Sequence, residues 1–255
     1  MKLALQGHTI VISSGDYGVG SYRGDPDANG CMSGSGQNGT IFNPYYPGGC
    51  PYITVVGGTM LYPNQTIHDS ESAMYIDLNP PGQDRQSGYC QSGGGFSNIF
   101  PTPDYQQQAM ATWTKDHNPG YPTYVAVTNL SNIGANRGLY NRAGRGTPDV
   151  SANGANLPLY VGGVLQPGFG TSLAAPIWAS IITMINQQRT LVSKGPVGFI
   201  NPVLYANPWA MNDITNGSNP NCGTEGFKAV GGWDPVTGLG TPNFPKLLEL
   251  FMGLP

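Results

Sequence analysis

The sequence predicts an α/β fold with a mainly parallel sheet, and three observations point there. Short β-rich runs bounded by glycine or proline alternate with helical windows along the chain. The 255 residues suffice for one good-sized core, and no midway shift of composition marks a linker, so a single domain is expected over residues 1–255. The longest apolar run, Leu173 to Ile185, is interrupted by Pro176 and Ser180 and is too short, at about 1.5 Å per residue, to span hydrocarbon. It is expected as a buried core helix.

Taken in order, Met1 to Gln6 followed by Gly7 reads as the last turns of a helix stopped by glycine. A chain that opens in mid-helix is expected to be truncated at its N-terminus. Thr9-Ile10-Val11-Ile12-Ser13 reads as a buried strand, and Tyr52 to Gly58 and Leu159-Tyr160-Val161 as further strands. Helical windows fall at Asp104 to Trp113, Thr171 to Arg189 and Phe244 to Met252. Between them run two long Gly/Pro/Asn-rich loops, Gly18 to Gly49 and Pro63 to Gly95, longer than structureless loops usually are in a compact domain. They read as functional loops held by cysteines.

Charged residues make up 10% of the chain against roughly 25% in an average soluble protein. Polarity is carried instead by Asn, Gln, Ser, Thr and Tyr, whose hydrogen bonds do not change in acid as those of carboxylates do, so tolerance of low pH is expected. A net charge of −3 with no block of like charges excludes a nucleic-acid footprint, and no basic amphipathic stretch points to a membrane. The four cysteines, Cys31, Cys50, Cys90 and Cys222, lack zinc-ligand spacing and read as two disulfides, with three pairings open. With Asn-x-Ser/Thr acceptors at Asn38, Asn64, Asn129 and Asn216, they indicate a secreted protein or one of an acidic vacuole or lysosome-like compartment. Met1 to Gly7 has neither the apolar core nor the cleavage site of a signal peptide, so the true beginning is expected upstream.

The chemistry concentrates at Gly170-Thr171-Ser172-Leu173-Ala174-Ala175-Pro176, which sets a serine at the start of an apolar helix; Pro176 is expected in the first turn, where no donor is needed. A helix N-terminus supplies free N–H groups and a positive dipole end, suited to a nucleophile that passes through an oxyanion. On local spacing alone an ordinary N-cap serves as well.

Gly-Thr-Ser-x-x-x-Pro resembles the nucleophile motif shared by subtilisins and sedolisins. The histidines His8, His68 and His117 stand in no His-Gly-x-His setting, which argues against a subtilisin. Ser13-Ser14-Gly15-Asp16, Gly93-Gly94-Gly95-Phe96-Ser97, Gly146-Thr147-Pro148-Asp149-Val150 and Gly232-Trp233-Asp234-Pro235-Val236-Thr237-Gly238-Leu239-Gly240-Thr241-Pro242 resemble sedolisin landmarks in sedolisin order. The resemblance covers essentially the whole chain and is nearest to fungal tripeptidyl peptidases. It implies a subtilisin-like three-layer fold with a mainly parallel central sheet and flanking helices, its N-terminal part missing.

The resemblance further implies that Ser172 is the acyl-forming nucleophile and that Asp16, kept protonated in acid, donates to the tetrahedral oxyanion. It implies one calcium ion, Ca²⁺, held by the carboxylates of Asp213 and Asp234 and by carbonyls of Ile214, Val230 and Gly232, all oxygen ligands as a hard cation requires. It pairs Cys90 with Cys222 and leaves Cys31 for Cys50. Phe169 departs from the family pattern, in which serine is common at that position, and puts the local subsite shape in question. Trp178, Trp209, Met184 and Tyr45-Tyr46 read as packing, and Gly93-Gly94-Gly95 has no phosphate-loop context.

Sedolisins take a Glu as general base, with an Asp one helical turn away, from a helix upstream of the Asp16 loop. The three glutamates here, Glu71, Glu225 and Glu249, are followed four residues later by Tyr75, Ala229 and Gly253. The isolated chain is therefore expected to be nearly inactive. The expected partners are peptide or protein substrates and the upstream segment and propeptide of the same precursor. The alternative is a catalytically dead relative acting as a calcium-braced binding protein.

Overall fold

The computed structural model describes residues 1–33, 36–78 and 89–255. Its strands are β1 (Val11–Ser13), β2 (Thr54–Met60), β3 (Ser72–Ala73), β4 (Tyr75–Asp77), β5 (Tyr89–Gln91), β6 (Gly95–Pro101), β7 (Thr123–Tyr124), β8 (Tyr140–Asn141), β9 (Gly144–Thr147), β10 (Val150–Asn153), β11 (Leu157–Val161), β12 (Val164–Gly168), β13 (Met211–Asn212) and β14 (Thr241–Pro242). Its helices are α1 (Lys2–Leu5), α2 (Gln107–Asp116), α3 (Thr171–Leu191), α4 (Asn201–Ala206) and α5 (Phe244–Gly253).

β2 is the axis of the largest sheet. It is buried at every position, as a strand covered on both faces must be. β1 and β10 flank it, both parallel to it, and β3 adds an antiparallel pair at its far end. The remaining sheets are two-stranded, and of these β7–β8 is parallel while β4–β5, β6–β9, β11–β12 and β13–β14 are antiparallel. The sheets are thus small and mixed.

α3 lies across β1, β2 and β10. Its buried residues Thr171, Ala174, Trp178, Ile181, Ile182, Ile185 and Arg189 recur every three or four positions, the stripe a core-facing helix needs. Trp178 donates its indole N–H to the Ser151 carbonyl at 2.7 Å, fastening α3 to β10. A second part of the core is aromatic, with Phe42, Phe96, Trp113, Tyr140, Phe227 and Trp233 packed edge-on and stacked. The helix expected over Thr171 to Arg189 is found as Thr171–Leu191, with Pro176 in its second turn rather than its first. Its missing N–H leaves the Ser172 carbonyl without an i+4 donor.

The stretch read as a loop from Pro63 to Gly95 contains β3, β4 and β5, and its residues 79–88 lie outside those described. The loop from Gly18 to Gly49, described except for residues 34–35, carries only an isolated bridge between Met32 and Ile41.

The disulfide pairing differs from the expectation. Cys31 is bonded to Cys222, with Cα atoms 5.7 Å apart, while Cys50 and Cys90 are free thiols. The pairing follows from the fold, because Tyr17 and Val19 carry the first loop against residues 219–221 through the Asn221 side chain and the Asn219 carbonyl. Cys90 instead turns into a small core with Met60, Met74 and Ala155.

Candidate active site

Asp16 stands where the chain leaves the C-terminal end of β1. Gly15, at φ +91°, makes the turn that a side-chain-bearing residue would resist. The glycine-rich segment lies directly against this loop: Gln91, Gly93 and Gly94 donate their N–H groups to the carbonyls of Asp16, Gly15 and Gly18. A Cβ on Gly93 would collide with the Ser14 carbonyl oxygen, so glycine there is a condition of the approach.

Ser172 reaches the same place from the other side of β2. The chain leaves β10 at Gly154, makes the β11–β12 hairpin and returns to Gly170, whose N–H donates to the Gly154 carbonyl at 2.8 Å. Asp16 Oδ1 then accepts hydrogen bonds from the Thr171 N–H at 2.7 Å and the Thr171 hydroxyl at 2.8 Å. The first orphan donor of α3 is thereby capped by a residue 155 positions away. The second oxygen, Oδ2, faces Gly170, where a Cβ would stand 3.1 Å from it.

Ser172 is exposed, and neither its N–H nor its hydroxyl has a hydrogen-bond partner among the described residues. A free backbone donor, a carboxyl oxygen beside it and an open hydroxyl at a helix N-terminus can bind and polarise a carbonyl. Among the described residues no base touches the Ser172 hydroxyl.

Two features of this region were not read from the sequence. Thr171 passed as motif rather than as the partner of Asp16. Asp149 and Arg145 form a fully buried ion pair at 2.6 Å, with Asp149 also accepting from the Val55 N–H at 2.8 Å and the Tyr205 hydroxyl at 3.1 Å. The spacing of four was the available signal, but outside a helix it carries no geometry of its own.

Asp213 and Asp234 both reach the segment that carries Val230 and Gly232. Asp213 Oδ2 accepts from the Gly232 N–H at 2.8 Å, and Asp234 Oδ2 from the Val230 N–H at 3.0 Å. Ile214 follows Asp213 with its side chain buried, and no hydrogen bond ties it to the other four. Asp234 is fully buried, and burial pushes its carboxyl up to about 7 against the N–H groups of Thr237, Val230 and Val236. No basic side chain among the described residues pairs with it, so a hard cation would offset its charge. The residues therefore fit calcium, provided that carbonyls supply most ligands: the described residues hold no cluster of three or more His, Cys, Asp or Glu side chains of metal-binding form.

In fold the chain is similar to a solved sedolisin, and in sequence to tripeptidyl peptidases. A Pseudomonas sedolisin, a serine-carboxyl proteinase solved in complex with two molecules of pseudo-iodotyrostatin, superposes with a TM-score of 0.66 at 26% identity, covering 96% of this chain and 56% of that one. Close homologues by sequence are aorsin of Aspergillus oryzae, 54% identical, and tripeptidyl-peptidase sed1 of Aspergillus fumigatus, 48% identical, each aligned over the whole of this chain. Human tripeptidyl-peptidase 1 is 35% identical over 99% of it. The chain spans 37% of the length of the two fungal relatives. No protein-family model matches it.

Proposed function

We propose that this chain is the nucleophile-bearing portion of an acid-acting serine-carboxyl peptidase of tripeptidyl-peptidase type. The observation that carries the reading is the contact of Asp16 with Thr171, which sets a carboxyl and a free N–H beside the hydroxyl of Ser172.

In the proposed reaction Ser172 Oγ attacks the scissile carbonyl carbon as its proton passes to a base. That base lies in the part of the relatives' length that this chain does not span, together with the Asp that orients it. The carbonyl electron pair moves onto oxygen, where the Ser172 N–H and the Asp16 carboxyl, protonated on Oδ2, donate to it. Collapse breaks the C–N bond, the amine takes the proton, and water hydrolyses the acyl-serine. A calcium ion would be held by Asp213 and Asp234 with carbonyls of Ile214, Val230 and Gly232, where it would neutralise the two carboxylates and brace the C-terminal loop.

Its substrates are peptides or proteins, and the upstream segment and propeptide of the same precursor are its partners. Its place is outside the cytosol, secreted or lysosome-like. The Cys31–Cys222 bridge and the exposure of Asn38, Asn64, Asn129 and Asn216 support that location. Among the described residues no helix is long and apolar enough to cross a membrane.

The partnerless Ser172 hydroxyl also favours a second reading, a catalytically dead relative that keeps the calcium loop as a binding scaffold. Peptide hydrolysis at about pH 4 separates the two. If the protein extended by its own upstream sequence cuts and Ser172→Ala abolishes cutting, the peptidase reading stands; if the extended protein is inert, the scaffold reading replaces it.

A further inference from the structure

The β11–β12 hairpin exposes more apolar surface than a solvated hairpin warrants. Its register pairs Pro158 with Pro167 and Tyr160 with Leu165 on one face, and Leu157 with Gly168 and Leu159 with Gln166 on the other. The second face packs inward at its root, where Leu159 closes over Gly168 beside Leu173, in the first turn of α3, and a Cβ on Gly168 would strike the Leu159 side chain, while its tip pair Val161 and Val164 is exposed. The first face has no cover among the described residues. Tyr160 is 76% exposed and Leu165 55%, and both prolines are exposed.

Phe169 is the next residue in the alternation Leu165, Pro167, Phe169. It is 46% exposed and stands three residues before Ser172. The apolar row therefore runs from the hairpin down to the nucleophile, over about 13 Å at roughly 3.3 Å per residue, the length of about four extended peptide residues.

Resting on the peptidase reading, we infer that this face, Phe169 with Leu165, Pro167 and Tyr160, is a specificity wall that holds apolar side chains of an extended substrate beside the scissile bond. Substrate is the occupant because the row is continuous with the nucleophile turn and its root is fixed to α3 by Leu159 and Leu173. Its chemistry is apolar, since none of the four side chains carries a charge.

The test uses the full-length protein and matched peptides differing only in Leu or Ser at the positions flanking the cleaved bond. Phe169→Ser and Leu165→Ser should each lower the ratio of kcat/KM for the Leu peptide to that for the Ser peptide, on the order of tenfold. In a Ser172→Ala background the same substitutions should weaken binding of the Leu peptide more than of the Ser peptide. That second reading does not depend on turnover, so a protein that binds selectively but never cuts refutes the peptidase and not the wall. Unchanged ratios in both assays overturn the inference. So does a result in which these substitutions abolish self-association or binding to lipid vesicles while the ratios stay fixed, because the face would then belong to a second copy or to a lipid surface.

Discussion

Asp16 Oδ1 holds both the N–H and the hydroxyl of Thr171, at 2.7 and 2.8 Å, and so locks the loop after β1 to the start of α3. One oxygen is spent on structure, which leaves Oδ2, beside side-chain-free Gly170, as the atom available to a substrate carbonyl. The two oxygens can be tested separately. Thr171→Val removes one bond to Oδ1 and should lower unfolding free energy by about 1 kcal/mol in a urea titration. Asp16→Ala should lower kcat of the full-length protein by about 10² to 10³, the usual loss of an oxyanion donor. Asp16→Asn, still a neutral donor, should lose less; equal loss in both would remove donation from the role of Asp16.

The Cys31–Cys222 bridge makes a direct chemical prediction. Peptide mapping without reduction should recover these two residues linked and Cys50 and Cys90 unlinked. Alkylation of the folded protein at pH 8 should reach Cys50, which is half-buried, and spare Cys90, because burial pushes its thiol up to about 12. Rapid labelling of Cys90 before unfolding would show that the β5 environment is wrong.

What the sequence disclosed and what it hid divide along physical lines. The long helices were legible because packing against a sheet forces a periodic apolar stripe: Thr171 to Arg189 was expected and Thr171–Leu191 found. β2 was legible as a buried run but shifted two residues, since short apolar strands carry no end signal. Ser172 and Asp16 were readable only through a resemblance, because a serine after glycine and an aspartate in a glycine turn each have an ordinary structural use. The disulfide was misassigned because pairing depends on which loops meet in space, and nothing local to Cys31 announces residues 219–222. The exposed face of β11–β12 was equally hidden: Leu159-Tyr160-Val161 reads as a strand, but which residues face outward depends on Leu159 finding Leu173.

Metal removal should uncover the role of Asp213 and Asp234. If calcium binds the folded chain alone, its stabilisation at a hundred times Kd is about 2.7 kcal/mol, visible as a Tm that falls on adding chelator. Asp213→Ala should abolish the calcium-dependent part of that shift while costing little in chelator, because its side chain is exposed. Asp234→Ala should also lower stability in chelator, since Asp234 bonds Val230, Val236 and Thr237 without help from any metal. A calcium shift that survives Asp213→Ala would place the ion elsewhere.

The buried pair of Arg145 and Asp149 should be highly sensitive to substitution, since neither charge has access to solvent. Asp149 Oδ2 takes both the Arg145 guanidinium and the Val55 N–H, and its own N–H donates to the Val55 carbonyl, so the residue ties β2 to the start of β10. α3 packs on those two strands, and the position of Ser172 inherits any looseness there. Arg145→Met would strand a carboxylate in the core, and the expected loss is about 3 to 5 kcal/mol in denaturant unfolding. Asp149→Asn would in turn leave the guanidinium without its counter-charge. The double variant should lose clearly less than the sum of the two, because most of each single loss is the charge left behind rather than the bond removed. Strict additivity would mean that the two side chains act independently, and that the strand junction is held by the backbone bonds at Val55 alone.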